Sequence, residues 1–322
     1  MHKFLLMFFC APLFFLLLGC QPQSIGEYPL TSQSLYAATL SDDGRYAITS
    51  TADEGLQFWN VGLKKAMFRW HHGDDSSNII ATAISANSHY AASLARHSVA
   101  LWRIDDGQSI GWWSLPASGQ SISVADNGAL LVGLSNGSVM AMAPQQSQLI
   151  EFLGHNDSVN AVAISANGKL ALSGGDDRQV ILWHTANGQP MVKRHLDSRV
   201  TMVALSHDGE VSFASDAQGQ GKIWHQQAQD ASTELTINQR YLNFSTARFS
   251  QHNRWLLTGT PARQVMVWSV ATGKKLVDWK VAQTKNAQMK GVVVYSVAKQ
   301  AGNTIVSLSS NGLVETWPSV PE

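Results

Sequence analysis

The sequence is poor in the residues that usually announce chemistry. Of its 322 residues two are cysteines, Cys10 and Cys20, and 14% are charged, with 23 Lys and Arg against 23 Asp and Glu. With both cysteines so near the N-terminus, the rest of the chain has no disulfide framework. Balanced charge gives no strong field to draw nucleic acid or an acidic membrane surface. After residue 30 no segment keeps a 3.6-residue apolar period over helical length. That excludes a phosphate-binding glycine loop opening a helix. The histidines show no structural-zinc spacing, and the one local cluster of ligand types is His71-His72 with Asp74 and Asp75. Neither a metal nor a cofactor is expected.

Long apolar runs are confined to the start. Phe4 to Leu18 carries no charge and follows Met1-His2-Lys3. It falls short of the ~20 residues of a bilayer-spanning helix and reads as a secretory signal. Its end, Leu17-Leu18-Gly19-Cys20, resembles the bacterial lipobox. The resemblance implies residues 1–19 as a lipoprotein signal peptide, cleavage before Cys20, lipidation of Cys20, and a short anchor over 20–23. It places the chain in the cell envelope of a Gram-negative bacterium. Gln21 stands where inner-membrane lipoproteins of enteric bacteria carry aspartate, which implies the outer membrane facing the periplasm.

Tryptophan is abundant, with 11 residues, and periodic. Trp59, Trp102, Trp183, Trp224, Trp268 and Trp317 recur with Met142 in the equivalent place, in steps of 43, 40, 41, 41, 44 and 49 residues. Such a period fits a four-stranded propeller blade. A serine precedes the tryptophan by 18, 17, 18, 18 and 18 residues in units one, two, four, five and six. Pairs such as Asp43-Gly44, Asn127-Gly128, Asn167-Gly168 and Asp208-Gly209 supply tight hairpin turns between short apolar runs. A second set, Trp70, Trp113 and Trp279 with Leu153 as its equivalent, ends the fourth strands and suits packing between blades.

Gly154-His155, Ser165-Ala166-Asn167-Gly168, Ser173-Gly174, Asp177 and Trp183 resemble the WD repeat in order and spacing. The resemblance implies an all-β, seven-bladed propeller over residues 24–322. It also implies a hydrogen-bond relay inside the fourth blade made by His155, Ser173, Asp177 and Trp183. The other units are degenerate: Thr49 and Asp53 keep the offsets in unit one and Ser307 and Asn311 in unit seven, while unit two has Ala92 and Arg96 there. Unit seven lacks a fourth strand, and Ser24 to Leu35 is expected to supply it and close the ring.

Loops before the first strands and between the second and third strands share one face of a propeller. That face is expected to hold His72, Arg96, His97, Arg178, Arg199, Arg240, Tyr241 and Arg263, a mildly basic surface for a partner segment. Gly107-Gln108-Ser109-Ile110-Gly111 matches a nucleophile-elbow pattern but falls in the turn between third and fourth strands, where that motif has no helix to open. No catalytic residue is assigned. The expected function is a non-enzymatic scaffold, a monomeric propeller that binds other envelope proteins and is held to the membrane by its lipid. Thr272 to Trp279 resembles the docking repeat of quinoprotein propellers. That leaves a quinoprotein-like or hydrolytic enzyme, with a pocket in the central channel, as the alternative.

Overall fold

The computed structural model describes residues 23–73, 79–144, 149–228, 231–283 and 291–320. Cys20 and the signal segment lie outside the described residues, as do Asp74 and Asp75. The N-terminal strand β1 (Gly26–Pro29) precedes seven sheets arranged as a β-propeller. Blade one comprises β2 (Ala37–Leu40), β3 (Tyr46–Thr51), β4 (Gly55–Asn60) and β5 (Lys65–Trp70). Blade two holds β6 (Ile79–Ile84), β7 (Tyr90–Ala95), β8 (Ser98–Arg103) and β9 (Ser109–Ser114). Blade three has β10 (Gly119–Val124), β11 (Leu130–Leu134), β12 (Val139–Met142) and β13 (Ile150–Phe152). Blade four is built of β14 (Val159–Ile164), β15 (Leu170–Gly175), β16 (Gln179–His184) and β17 (Pro190–His195). In blade five stand β18 (Val200–Leu205), β19 (Val211–Asp216), β20 (Gly221–His225) and β21 (Ser232–Glu234). Blade six contains β22 (Thr246–Phe249), β23 (Trp255–Gly259), β24 (Gln264–Ser269) and β25 (Lys275–Lys280). Blade seven adds β26 (Val294–Lys299), β27 (Ile305–Ser309) and β28 (Leu313–Trp317). Its fourth strand is β1, paired antiparallel to β28 with Glu27 opposite Glu315.

The recurrent serine has a local cause. Its hydroxyl donates to the Asx residue two positions on, as in Ser41–Asp43 at 2.7 Å and Ser165–Asn167 at 2.8 Å. It also accepts the N–H that opens the next strand, from Tyr46 at 2.9 Å and Leu170 at 3.0 Å. One side chain thus fastens both ends of the turn between first and second strands. Ser85 and Ser206 make the same pair of bonds in blades two and five.

Blades pack through their aromatic rings. Trp70 stacks on Trp102 of the next blade at 5.0 Å and 11°, and Trp279 on Trp317 at 5.5 Å and 11°. Phe152 stacks on Trp183 at 4.4 Å and 9°. Register places Phe152, opposite Val139, where Trp70 stands opposite Leu56. Leu153, the equivalent expected from sequence, lies one residue further and is exposed. Met142, opposite Leu130, does hold the place that Trp183 has opposite Ala171, and it is buried against blade two.

Candidate functional site

Inside blade four, His155 bridges two partners. One ring nitrogen lies 3.0 Å from Asp177 and the other 2.8 Å from the Ser173 hydroxyl, which also accepts the Trp183 indole N–H at 3.3 Å. Burial pushes the Asp177 carboxyl up, yet bonds from His155, Asn156 and Gln179 outweigh it and hold the group below the usual carboxylate range. The His155 ring is fully covered, so this set meets no substrate.

Blade two contains a second relay that the sequence pattern missed. The His72 ring bonds the Ser93 hydroxyl at 2.7 Å and that of Ser98 at 3.0 Å, and Ser93 accepts the Trp102 N–H at 2.9 Å. His72 is therefore buried inside the blade, not displayed on the open face. Ser93, not Ala92, occupies the serine place. The turn between β7 and β8 is one residue shorter than its counterpart in blade four, which moves the offset. Indole N–H groups of Trp59, Trp268 and Trp317 likewise donate to Thr49, Thr258 and Ser307 at 2.9 Å each.

The seven innermost strands surround a central cavity of about 440 Å³. At one end six of the blades aim a residue into the mouth. β-Bulges put Ile80, Gln120, Asn160 and Tyr295 there, while the bulged Thr201 of blade five donates to the Ser215 carbonyl instead. Tyr36 and Ser245, whose N–H groups bond Ser50 and Gly259, take the same place in blades one and six. An inserted residue re-aims its side chain out of the ladder, a device common at functional rims. Asn160 is tied to Asp176 and to the Val200 carbonyl, and the Tyr295 hydroxyl to the Leu35 carbonyl. Tyr36 and Ile80, in adjacent blades, stay 51% and 44% exposed and form an apolar sector of the rim.

The other end is spanned by a belt to which all seven blades contribute. Asn87 N–H donates to the Asp126 side chain at 2.8 Å, Asp126 N–H to Ala166 O at 2.9 Å, and Ala166 N–H to His207 O at 2.9 Å. The His207 ring then meets Asp42, which reaches across from blade one. Arg248 pairs with Asp42 at 3.2 Å and donates to Leu40 O at 2.9 Å, and Lys299 N–H donates to Asp42 O at 3.3 Å. Burial raises the Asp42 carboxyl, but Arg248 and His207 together hold it below its ordinary range. The bond to Asp42 raises His207 against the opposing effect of burial.

The turns and connections at the mouth carry the residues singled out in the sequence. Arg96, His97, Arg178, Arg199, Arg240 and Tyr241 are exposed, Tyr241 at 72%. Arg263 is half-buried, with its guanidinium spent on the Val281 carbonyl and Gln283. Exposed Asp53, Asp157 and Asp197 stand on the same loops, so the face is mixed in charge and not basic. Arg178 and Arg263 have φ of 67° and 71°, where blades three, five and seven use Gly137, Gly219 and Gly312. A Cβ on those glycines would meet a neighbouring backbone atom at 2.8, 2.7 and 2.5 Å. Arginine therefore stands at two turns that glycine would suit better, a left-handed strain that sheets tolerate chiefly where a side chain is wanted.

Ser109 of the nucleophile-elbow pattern opens β9, and no helix follows it. Among the described residues, no cluster of three His, Cys, Asp or Glu side chains could hold a metal ion. Residues 146–184 match the family described as WD domain, G-beta repeat. That segment holds the full relay of blade four. The chain is also similar to a p21-activated protein kinase-interacting protein 1-like from Gallus gallus, 22% identical over 58% of this chain. It is similar to the small ribosomal subunit protein RACK1y of Oryza sativa subsp. japonica, 27% identical over 37% of this chain. It spans about half the length of the first, 48%, and 36% of the second. These likenesses support a WD-repeat propeller.

Proposed function

We propose that the protein is a non-enzymatic interaction scaffold whose working surface is the open mouth of the channel. The observation that carries this reading is the rim itself: exposed Tyr36 and Ile80 beside a cavity, ringed by exposed Arg96, Arg178, Arg199, Arg240 and Tyr241. Aromatic and arginine side chains dominate binding energy at protein interfaces. The mixed charge of the loops suits a partner segment that seats an apolar residue at the rim and sets its polar groups around it. The chicken relative is named as an interacting protein, in keeping with this role. The scaffold is held to the cell envelope of a Gram-negative bacterium, at the outer membrane facing the periplasm, through a lipid on Cys20. The lipobox supports that tether, and β1 begins six residues after Cys20, so the propeller would ride close to the membrane.

Crosslinking in the envelope followed by mass spectrometry tests the surface. Tyr36→Glu with Arg178→Gly is expected to remove partners that the unaltered protein retains. Glycine fits the turn at 178, so the fold persists. An unchanged partner set would sink the proposal. Fractionation tests the tether separately: Cys20→Ala is expected to move the protein from membrane to soluble fractions.

A further inference from the structure

Seven strands form the outer circumference of the ring, one to each blade. Six of them carry features that discourage another strand from joining. β1 has Glu27 and Pro29, and β5 has Lys65 and Arg69. β13 and β21 are three residues long and hold Glu151 and Glu234. β17 has Pro190, Lys193 and Arg194, and β25 has Lys275, Asp278 and Lys280. Charge, proline and shortness are among the means by which open sheet edges avoid pairing. The exception is β9, whose six residues Ser109-Ile110-Gly111-Trp112-Trp113-Ser114 include none of these. One side of β9 is laddered to β8, and among the described residues no backbone bond reaches the other side.

β9 carries one bulge, at Ile110, and its side chains fix the strand on either side of it. Trp113 packs into the core between blades two and three, and a Cβ on Gly111 would meet its ring at 2.1 Å. Trp112 points the other way, 4.5 Å from the His72 ring and above Gly73, and stays 44% exposed. An apolar ring is thus held firmly beside an unpaired edge, at the blade that also carries the buried His72 relay.

We propose that β9 is a self-association edge, at which two copies of the chain pair β9 with β9, antiparallel about a two-fold axis. The occupant follows from charge. Two-fold pairing brings a strand against its own composition. For β1, β5, β17 or β25 that sets like charges near each other across the ladder, which destabilises the pair. β9 meets only serine, isoleucine, glycine and tryptophan. Each copy gains backbone hydrogen bonds along the strand and covers an exposed Trp112. The active species is then a dimer of propellers in place of the monomer expected from sequence, with the two channel mouths left open.

Sedimentation velocity of the purified chain, from micromolar to submillimolar concentration, reads the association directly. A concentration-dependent dimer is expected. Trp112→Lys and Ser114→Lys each place a charge on an exposed edge position, and each is expected to weaken dimerisation by roughly tenfold or more. Circular dichroism melts of both variants should match the unaltered protein. Mixed single-cysteine variants Ser109→Cys and Ser114→Cys should crosslink to each other in preference to themselves, as antiparallel pairing requires. A monomer at every concentration overturns the inference, whether or not a foreign strand binds there. So does a dimer that survives both lysines.

Discussion

Each blade must give its central ring's polar atom a partner, and the solutions differ blade by blade. Five indole N–H groups donate to a serine or threonine hydroxyl on the second strand. In blade three both members are replaced together, Met142 for the indole and Val132 for the hydroxyl, which leaves nothing unpaired. Blade five sets Ala214 at the hydroxyl position, and the Arg194 guanidinium lies 4.9 Å from the Trp224 ring centre. Ser93→Ala should be costly, because it strips partners from both Trp102 and His72 in a buried place. A loss of about 2–3 kcal/mol is expected in urea unfolding; a change below about 0.5 kcal/mol would mean that the hydroxyl is dispensable. The sequence held a signal for this relay. Ser85 precedes Trp102 by 17 residues where four other units have 18, which marks a missing residue in that blade. Offsets transferred without that correction fall on Ala92 and Arg96.

At the scale of strands, apolar alternation and turn pairs made the four-stranded units legible, and the absent fourth strand of unit seven announced the closing role of β1. The bulges did not show, because an inserted residue is defined by its pairing partner and carries no residue type of its own: Ile80, Gln120, Asn160, Thr201 and Tyr295 share nothing but position. The closing pair was also invisible from sequence. It sets Glu27 opposite Glu315, whose carboxylate is 1% exposed and accepts the Ala282 N–H at 3.0 Å. Burial pushes the Glu315 carboxyl up to about 7, and Glu27 adds to the rise against the Ala282 N–H and Arg263. The folded value lies above the ordinary 4.5, so the stability gained by keeping the group neutral is complete below 4.5 and lost as pH rises through about 7. Glu315→Gln should therefore flatten stability across that window and exceed the unaltered protein above it by up to roughly 3 kcal/mol. Amide exchange at Tyr28 should slow correspondingly in the variant at alkaline pH. An unchanged pH profile would show that Glu315 does not govern closure.

For the whole molecule, two devices add to the ring stacking that already binds the first blade to its neighbour, and ring closure by β1 is one of them. The second is the belt at the far end of the channel, where Asp42 spans from blade one to His207 in blade five and Arg248 in blade six. Its signs oppose. Asp42 is held below 3.8, so its contribution is present above that value and fades as pH falls through the lowered one. His207 is held above 6.5, so its contribution is complete below 6.5 and fades as pH rises through the raised one. The belt is at full strength between about 3.8 and 6.5. Asp42→Asn leaves the half-buried Arg248 guanidinium without its counter-charge, a defect expected to cost less than the ~3–5 kcal/mol of a fully buried pair. In a Glu315→Gln background, where that buried carboxyl no longer titrates, the loss of stability that remains above about 6.5 and below the tyrosine range belongs to His207. Adding Asp42→Asn should abolish that loss and lower the melting temperature at every pH. An alkaline loss that persists in the double variant would remove His207 and Asp42 from the account of how the ring holds together.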